Sequence, residues 1–578
     1  MKHSIGIDLG TTNTALAYAP LSDDKVAPAA FLIEQVTNAG EHQPQGLLPS
    51  FMYLPSDVEL PPGSLALPWD ATRSFCVGAF ARDRASAVPG RVVSSAKSWL
   101  CHPGVDRRSA ILPVQAPDDL AKLSPVDVSA RILAHLVEAW GQAHPDQPLT
   151  SQDVVLTVPA SFDAVARALT EEAAKQAGFE SLTLLEEPQA ALYAWVAQSG
   201  DAWRKRVAVG DLILVVDIGG GTTDLSLIEV KDDAGNLTLA RVAVGDHILL
   251  GGDNMDLALA YRLKAKLEAE GKALDDWQLR ALMFACRSAK EQLLDPASKV
   301  KDQAPVAIAG RGSKLVGGTI RTELSRAELD ETLLQGFFPE VEASARPAQQ
   351  RRAGLQTLGL PYAQDAGITR HLAAFLDGRK PTRVLYNGGV TKSALLRERI
   401  TGILNGWLPQ PIDVLDSADL DLAVAMGAAY YGRARAGKGL RIKGGASRAY
   451  YVGIERAEPS VPGLAPRVDA ICIAPLGMEE GTEVELPMEL GLVVGEPATF
   501  RFFSSTTRTA DVVSSSVDPV KAELLEVAPI ETTLEGPSGA VLPVKLHARV
   551  TEVGTLELSA VESSSKKRHK LEFNIRVE

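Results

Sequence analysis

Ile5-Gly6-Ile7-Asp8-Leu9-Gly10-Thr11-Thr12-Asn13 is the first copy of a pattern that returns as Val215-Val216-Asp217-Ile218-Gly219-Gly220-Gly221-Thr222-Thr223-Asp224. In both copies an apolar strand reaches an Asp and a Gly/Thr turn follows. Apolar periodicity then restarts at once, over 14–18 and 225–230, which is typical of a hairpin. Two such copies predict an internal repeat of a whole subdomain rather than a short-period solenoid.

Length and charge limit the classes of protein to consider. The chain has 578 residues, which is more than one hydrophobic core supports. Hydrophobic residues make up 46% and charged residues 23%, as in ordinary globular proteins. With 72 Asp and Glu against 59 Lys and Arg, the chain lacks the basic surface of a nucleic-acid binder. We therefore expect several folded domains and no nucleic-acid partner.

The N-terminus and the cysteines indicate a cytoplasmic protein. An apolar strand begins directly after Ser4, without the apolar core of a signal peptide. No apolar run approaches the ~20 residues of a membrane-spanning helix, so no membrane partner is expected. The four cysteines are scattered, which favours reduced thiols over a disulfide framework or a metal knuckle; they are Cys76, Cys101, Cys286 and Cys472.

Strand and helix patterns alternate over most of the chain and then give way to strands alone. The alternation between the hairpins favours an α/β fold. One helix is especially clear, because Ser124-Pro125 supplies an N-cap and a first-turn proline. Near 437–445 the Ala-rich helical pattern stops, and short strands with Pro and Gly punctuation follow. We therefore predict a linker at 438–447 and an all-β sandwich at 448–578.

The two Gly/Thr turns have the chemistry of a phosphate site. Glycine lets backbone N–H groups approach phosphate oxygens, and Thr hydroxyls add hydrogen bonds. Asp8 and Asp217 would face one cleft, where carboxylates can hold the waters of a Mg²⁺ ion. Either hairpin alone is also compatible with an ordinary structural turn, but the pair predicts a site that closes on a triphosphate. A third strand and glycine turn, 385–392, can lie against the adenine and ribose.

This set of motifs resembles the nucleotide-binding domain of DnaK-type heat-shock chaperones. The segments that carry the resemblance are 8–13, 217–224, 250–253 and 388–391. Residues 95–100 resemble the family's catalytic-lysine segment, and 158–162 with Arg167 resemble its proline switch and relay arginine. Residues 186–192 resemble its crossing helix with the catalytic glutamate, and 421–429 resemble its closing helix. The likeness spans roughly residues 1–435.

The resemblance implies an α/β actin-like ATPase domain of two pseudo-repeated lobes at 1–437, followed by the linker and the all-β sandwich as a substrate-binding domain. It implies ATP/ADP and Mg²⁺ as cofactors, with Asp8 and Asp217 holding the metal through water. The implied catalytic residues are Lys97, Glu187, Asp217 and Thr222. The implied nucleotide-binding residues are Gly10, Thr11, Thr12, Asn13, Gly219, Gly220, Gly221, Thr222, Gly251, Gly252, Asp253, Lys290, Gly388, Gly389, Lys392 and Asp421. Pro159 and Arg167 would form the interdomain relay.

Several positions depart from the family's pattern. Arg287 stands where an acidic residue is usual, Leu294 replaces a hydroxyl residue, and Val390 and Lys392 replace serine and arginine. These changes predict an altered purine pocket. Thr183 and Glu186 replace the residues that engage J-domains, and the linker is basic, so dependence on co-chaperones stays open. The β domain is a weaker match, and no helical lid follows it; we therefore expect modest, fast peptide binding.

Three functions remain in competition at this point. The first is an ATP-hydrolysing, chaperone-like protein that couples nucleotide state to the binding of unfolded or extended polypeptide. The second is a regulatory protein of the same ancestry whose β domain docks a dedicated protein partner. The third is a small-molecule kinase of the same fold, because fold does not determine function. Lys97 and the C-terminal β domain speak against the kinase.

Overall fold

The computed structural model describes residues 2–23, 26–102, 104–233, 236–246, 248–310, 318–348, 360–416, 419–436, 446, 448–456, 467–478, 482–494, 497–508, 510–533, 540–551 and 556–573. Most of the predicted linker, 438–447, lies outside these residues. So do residues 574–578, at the end of the all-β region predicted at 448–578.

The first part of the chain forms a mixed sheet with helices. The strands in this part of the chain are β1 His3–Leu9, β2 Asn13–Pro20, β3 Ala29–Ala30, β4 Ile33–Asn38, β5 Glu41–Gln45, β6 Leu48–Pro49, β7 Met52–Tyr53, β8 Cys76–Val77, β9 Val92–Val93, β10 Asp153–Val158 and β11 Thr183–Glu186. Its helices are α1 Ala79–Arg84, α2 Ala96–Trp99, α3 Pro125–Ala143, α4 Ala164–Gln176, α5 Glu187–Ser199 and α6 Trp203–Arg206. The main sheet has the order β11-β10-β1-β2-β3, with β6 paired to β2.

A second mixed sheet follows. Its part of the chain contains the strands β12 Leu212–Ile218, β13 Thr223–Asp233, β14 Asn236–Val244, β15 Gln303–Ala309, β16 Thr319–Ser325, β17 Arg383–Asn387 and β18 Asp413–Leu415. Its helices are α7 Gly252–Ala269, α8 Asp276–Leu294, α9 Arg326–Asp330 with a π-helical continuation at Glu331–Phe337, α10 Ile368–Leu376, α11 Ala394–Trp407 and α12 Ala423–Arg435. The sheet has the order β14-β13-β12-β17-β18.

The two mixed sheets have the same connectivity. In the first, β1 pairs antiparallel with β2 and parallel with β10. In the second, β12 pairs antiparallel with β13 and parallel with β17. The outer pairs agree as well, since β2–β3 and β13–β14 are antiparallel while β10–β11 and β17–β18 are parallel. The repeat expected from the two hairpins is therefore present in the strand order around them.

Helix α3 shows how local sequence determines an element here. The Ser124 hydroxyl accepts from the Asp127 N–H at 3.0 Å, and the Asp127 carboxylate accepts from the Ser124 N–H at 3.2 Å. This capping box, with Pro125 in the first turn, begins the helix as predicted. Its buried face carries Val128, Ile132, Leu136 and Trp140, which pack into the core beneath the first sheet.

A shared core joins the two mixed sheets. It contains Val155 of the first sheet and Val215 of the second, together with Ala190 of α5 and Ala428 of α12. The helices α5 and α12 approach so closely that a Cβ on Gly427 would lie 1.7 Å from the carbonyl oxygen of Ala190. Small residues at the crossing therefore bring the carboxyl ends of the strands of both sheets to one region.

The last part of the chain is all strand. These strands are β19 Ala449–Glu455, β20 Val468–Ala474, β21 Glu483–Glu485, β22 Leu490–Val493, β23 Pro497–Ser505, β24 Ser516–Val517, β25 Leu525–Thr533, β26 Val541–Val550, β27 Leu556–Glu562 and β28 Arg568–Phe573. They form one antiparallel ladder in the order β21-β26-β27-β28-β25-β23-β19-β20-β24, with β22 on β26. Ile471 and Val544, from opposite parts of the ladder, share one core.

That core also reaches the first mixed sheet, because it includes Ala164 at the start of α4. The four cysteines are free thiols, as expected. None of the helices in the described ranges is long and apolar enough to cross a membrane.

Candidate active site

The two Gly/Thr turns have the same internal geometry. In the first, the Gly10 N–H donates to the Asn13 carbonyl at 3.1 Å. In the second, the Gly219 N–H donates to the Thr222 carbonyl at 2.9 Å. Each turn thus closes on itself three residues later, in the manner of a tight hairpin. The similarity of the two motifs therefore extends to their backbone hydrogen bonds.

The two turns also lie against each other. A Cβ added to Gly220 would lie 1.8 Å from the Thr12 hydroxyl oxygen. One added to Gly221 would lie 2.8 Å from both the Ser98 hydroxyl and the Thr11 methyl group. Only glycine permits this approach. The two turns are therefore in contact, with Thr11 and Thr12 on one side and Gly220 and Gly221 on the other.

Asp8 and Asp217 occupy equivalent places in the two sheets. Each lies opposite a polar residue of the neighbouring parallel strand: Thr157 donates to Asp8 at 3.0 Å, and Asn387 donates to Asp217 at 2.7 Å. Burial raises the pKa of Asp8 to about 6, and the Glu187 carboxylate adds to the shift. Burial, followed by Glu187, raises the pKa of Asp217 well above its usual range. Both carboxyls are therefore costly to charge without a cation nearby.

Lys97 and Glu187 form an ion pair beside these aspartates. Lys97 belongs to the short helix α2, and Glu187 is the first residue of α5. Their side chains are 7% and 12% exposed. Burial opposes the charge on Lys97, but the Glu187 and Asp8 carboxylates raise its pKa above the ordinary value. Lys97 is therefore a cation held inside the cleft, in contrast to the exposed lysine typical of a helix surface.

Asp224 is a further site residue, to which the sequence pattern assigned no role. It is buried on β13, two residues after Thr222, and it accepts hydrogen bonds from Ser161 and Thr222. Burial raises the pKa of Asp224, and those hydrogen bonds and Lys97 oppose the shift. The sequence signal that could have marked Asp224 as a site residue is its position as an acidic residue immediately before the apolar run that begins at Leu225.

The cleft carries an excess of buried negative charge. Four carboxylates influence one another's ionisation across it, and one ammonium group is close to them; the residues are Asp8, Glu187, Asp217, Asp224 and Lys97. Buried carboxylates are retained at such density when a cation balances them. The site is chemically suited to a hard divalent cation such as Mg²⁺, which prefers oxygen ligands.

The start of α7 holds the second turn in place. The Gly252 N–H donates to the Gly219 carbonyl at 3.0 Å, and the Asp253 N–H donates to the Gly220 carbonyl at 2.7 Å. The Asp253 carboxylate reaches across the cleft, where it accepts from the Ser95 hydroxyl at 2.9 Å. Ser95 precedes α2 in a left-handed conformation with φ of 56°. The predicted Gly251-Gly252-Asp253 motif therefore links the second turn to the helix that carries Lys97.

Arg287 and Lys290 form one charged cluster with two aspartates of α7. Arg287 pairs with Asp253 at 2.5 Å and with Asp256 at 2.8 Å. Lys290 pairs with Asp256 at 2.6 Å and donates to the Gly252 carbonyl at 3.2 Å. Asp253, expected to contact nucleotide, is thus already bound to Arg287. The two basic residues of α8 neutralise the acidic start of α7.

The third glycine turn borders the same cleft. Gly388 has φ of 84°, and a Cβ there would lie 2.6 Å from Asp217 Oδ1. Gly389 has open space around its Cα, and it begins a short 3₁₀ helix that includes Lys392. Lys392 pairs with Asp421 at 2.5 Å and is half-exposed. The turn therefore lies behind Asp217, with the Lys392–Asp421 pair at the outer edge.

The predicted relay residues are Pro159, directly after β10, and Arg167, near the start of α4. Arg167 donates to Glu186 at 2.8 Å and to the Phe162 carbonyl at 3.1 Å. Arg241 of β14 pairs with the same Glu186. Pro159 opens the tight turn before α4, since its carbonyl accepts from the Phe162 N–H at 3.1 Å.

The two positions that depart from the J-domain pattern both have partners within the chain. Glu186 is the common partner of Arg167 and Arg241, and its side chain is only 7% exposed. Thr183 accepts from Arg435 of α12, which also pairs with Asp153 at 2.8 Å. Thr183 and Glu186, which depart from the family's pattern, are therefore both bound to other side chains of this molecule.

Comparison with known proteins finds relatives of this chain. The family model described as Hsp70 protein matches residues 92–351. A chaperone protein HscA homolog of Bordetella pertussis is 30% identical over 446 residues, which cover 75% of this chain and 58% of the relative. Over these residues the chain is similar to Hsp70-family proteins. A chaperone protein HscA of Serratia proteamaculans is 29% identical over 436 residues, which cover 73% of this chain and 57% of that relative.

An HscA homolog of Aeromonas salmonicida gives a similar match, 30% identical over 438 residues. The chain spans between 57% and 58% of the length of these three relatives.

Proposed function

We propose that this chain binds MgATP, hydrolyses it slowly to ADP and phosphate, and uses the nucleotide state to control the binding of extended polypeptide by its β-rich region. The observation that carries the proposal is the close approach of two equivalent Gly/Thr turns beside the Lys97–Glu187 ion pair. Backbone N–H groups and Thr hydroxyls on both sides of one cleft suit a triphosphate.

Each of these side chains would have a separate role in phosphoryl transfer. Lys97 would stabilise charge on the transferred phosphoryl, since a buried cation is most effective where water is excluded. Glu187 and Asp224 would orient the attacking water, together with Asp217 and Thr222. Positioning and charge stabilisation supply most of the catalysis in such reactions.

Asp8 and Asp217 would hold Mg²⁺ through water. Among the described residues, no three His, Cys, Asp or Glu side chains gather as ligands for a bare metal ion. Carboxylates that hold a hydrated ion while phosphate oxygens complete its shell are typical of nucleotide sites. The bound ion supplies neutralisation of the phosphate charge. The raised pKa values of both aspartates support this assignment, because each is expected to ionise fully beside a cation.

The purine would lie between the C-terminal part of α8, which carries Lys290, and the third glycine turn. Lys290, on α8, is close enough to Gly252 to reach a ribose placed there. The open space beside Gly389 leaves room for a flat ring, and the Lys392–Asp421 pair lies at the rim. This pocket is the one altered by Arg287 and its two aspartate partners.

We further propose that residues 1–437 form an actin-like ATPase domain of two pseudo-repeated lobes, joined by a linker at 438–447 to a β-sandwich at 448–578. The equal connectivity of the two mixed sheets supports the repeat. The polypeptide partner is proposed from the chaperone names of the relatives. The intrachain contacts of Thr183 and Glu186 favour little dependence on J-domain partners.

Substitution of Lys97 tests the ATPase proposal. Lys97→Ala should reduce single-turnover hydrolysis by about 10²-fold or more, the usual loss when a preorganised charge at the transition state is removed. MgATP affinity should change little, because the turns that hold the phosphates remain. Phosphate release and calorimetric titration measure the two quantities separately.

Lys175→Ala is the matched control, since Lys175 is an exposed lysine of α4 that pairs only along its own helix, with Glu171 at 2.8 Å. It should hydrolyse ATP at the wild-type rate. Equal hydrolysis by wild type and Lys97→Ala would remove Lys97 from the mechanism. Absence of MgATP binding by the wild-type chain would refute the proposed function itself.

A further inference from the structure

A short segment before α10 connects the cores of the two mixed sheets. Leu360 packs against the core beneath the first sheet, which also contains Trp99 of α2. Three residues later, the Ala363 N–H donates to the Leu249 carbonyl at 3.1 Å, and Ala363 packs against the core of the second sheet. Residues 360–363, called the strap below, therefore contact both halves of the nucleotide-binding region.

Asp365 fixes one end of the strap to the second half. Its carboxylate accepts from the Ala348 and Gly367 N–H groups at 2.7 and 2.8 Å and from the Arg370 guanidinium. The side chain is 5% exposed, and α10, which follows directly, packs into the core of the second sheet. Because this end is held firmly, the contact of the strap with the first half depends on Leu360.

The strap is bound to the loop that supports the second Gly/Thr turn. Leu249, the partner of Ala363, lies between two residues that hold Thr223. The Ile248 carbonyl accepts from the Thr223 N–H at 2.9 Å, and the Leu250 carbonyl accepts from the Thr223 hydroxyl at 2.7 Å. Thr223 directly follows the turn. The strap is therefore attached to the loop that holds the second phosphate turn.

Tyr362 places the strap near the end of the cleft that contains Lys97. Burial and then the Asp253 carboxylate raise the pKa of Tyr362 to about 12, so its hydroxyl is within electrostatic reach of Asp253. Asp253 in turn accepts from Ser95, two residues before Lys97. The strap thus crosses from one half to the other beside the place where the transferred phosphoryl would be bound.

We propose that the strap retains inorganic phosphate after hydrolysis, so that phosphate release is slower than the cleavage of ATP. Phosphate beside Lys97 leaves when the two halves separate at this end of the cleft, and that separation breaks the apolar contact of Leu360. Cleavage itself does not require the strap, because none of its side chains is assigned to the phosphates or the attacking water. The inference rests on the proposed ATPase function and adds a product-release step to that site.

The test is a single turnover of MgATP by the full chain, followed in two ways. Acid quenching measures cleavage, and a fluorescent phosphate-binding protein measures release. In the wild-type chain, release should lag behind cleavage. Leu360→Ser should speed release about tenfold, which corresponds to about 1.4 kcal/mol, the size expected for a partly buried leucine. The rate constant for cleavage should stay within a factor of two.

Three further variants show whether the apolar contact is responsible. Leu360→Met keeps an unbranched apolar side chain of similar volume and should keep the wild-type lag. Tyr362→Ala removes the ring beside Asp253 and should speed release about threefold, which decides the matter if Leu360→Ser does not fold. Leu32→Ser is the matched control, since Leu32 is a leucine of the first half that is 58% exposed, and it should match wild type.

Three results would overturn the inference. These are release that keeps pace with cleavage in the wild-type chain, a wild-type lag in both Leu360→Ser and Tyr362→Ala, and release from Leu360→Met as fast as from Leu360→Ser. In each of them the chain still cleaves ATP, so the proposed function stands. No cleavage by the wild-type chain refutes the proposed function and the inference together.

Discussion

Gly251 provides a sharp test of how the second phosphate turn is held. A Cβ at this position would lie 2.6 Å from the Gly219 carbonyl oxygen and 2.7 Å from that of Gly220. Both atoms belong to the backbone, so no change of rotamer relieves the contact. To restore an ordinary contact near 3.4 Å, the turn has to retreat from α7 by roughly 0.7 Å.

The size of the effect follows from what that retreat breaks. The bonds from the Gly252 and Asp253 N–H groups to the same two carbonyls measure 3.0 and 2.7 Å, so a shift of this size takes the first to about 3.7 Å, beyond hydrogen-bond range, and weakens the second by stretching it to about 3.4 Å. Each is worth about 0.5–1.5 kcal/mol. We expect Gly251→Ala to weaken MgATP binding by about 10- to 100-fold, which corresponds to about 1.4–2.7 kcal/mol.

The assay is calorimetric titration of MgATP into the full chain, with the thermal midpoint recorded for each variant. Gly402→Ala is the matched control, because a Cβ at Gly402 meets no atom within 4 Å on the exposed face of α11. It should bind like wild type and be slightly more stable, since Ala favours a helix over Gly. A Gly251→Ala protein with wild-type affinity would refute the account of how α7 supports the turn.

Two further predictions concern stability. Gly427→Ala places a Cβ 1.7 Å from the Ala190 carbonyl at the crossing of α12 and α5. It should therefore lower the free energy of unfolding, measured by denaturant titration, by about 3 kcal/mol or more. An unchanged denaturation midpoint would contradict the close crossing. Asp365 accepts from Arg370 and from two backbone N–H groups, and these bonds hold its pKa well below the usual range. Its stabilisation is therefore fully present above about pH 4 and is lost at lower pH, so Asp365→Asn should cost about 2 kcal/mol at pH 7 and progressively less in acid. An equal cost at pH 7 and pH 3 would refute this explanation.

Local sequence predicted the elements that depend on local interactions. Ser124-Pro125 predicted where α3 begins, and the two runs of Asp, Gly and Thr predicted both hairpins and their opposed turns. Such features rest on capping, turn chemistry and periodicity, which neighbouring residues determine. Lys97 and Glu187 were each assigned as catalytic only through the family resemblance, and their ion pair was not predicted, because ninety positions separate them in the chain.

Contacts between distant side chains were not predictable in this way. Asp224 was visible as part of a motif, but its bond to Ser161 depends on how β13 and the turn before α4 pack. Arg287 appeared in the sequence as a departure in the purine pocket, whereas the structure places it in a cluster with Asp253 and Asp256. The ladder order of the β-rich region is likewise non-local, since β25 pairs with both β23 and β28.

Hydrogen exchange of the two turns tests the central claim most directly. If one triphosphate is held from both sides, MgATP should slow amide exchange in residues 8–13 and 217–224 together, over the same range of ATP concentration. Omission of Mg²⁺ should remove most of the protection from both turns. Protection of a single turn, or of neither at saturating MgATP, would contradict the proposal that these two hairpins close on one nucleotide.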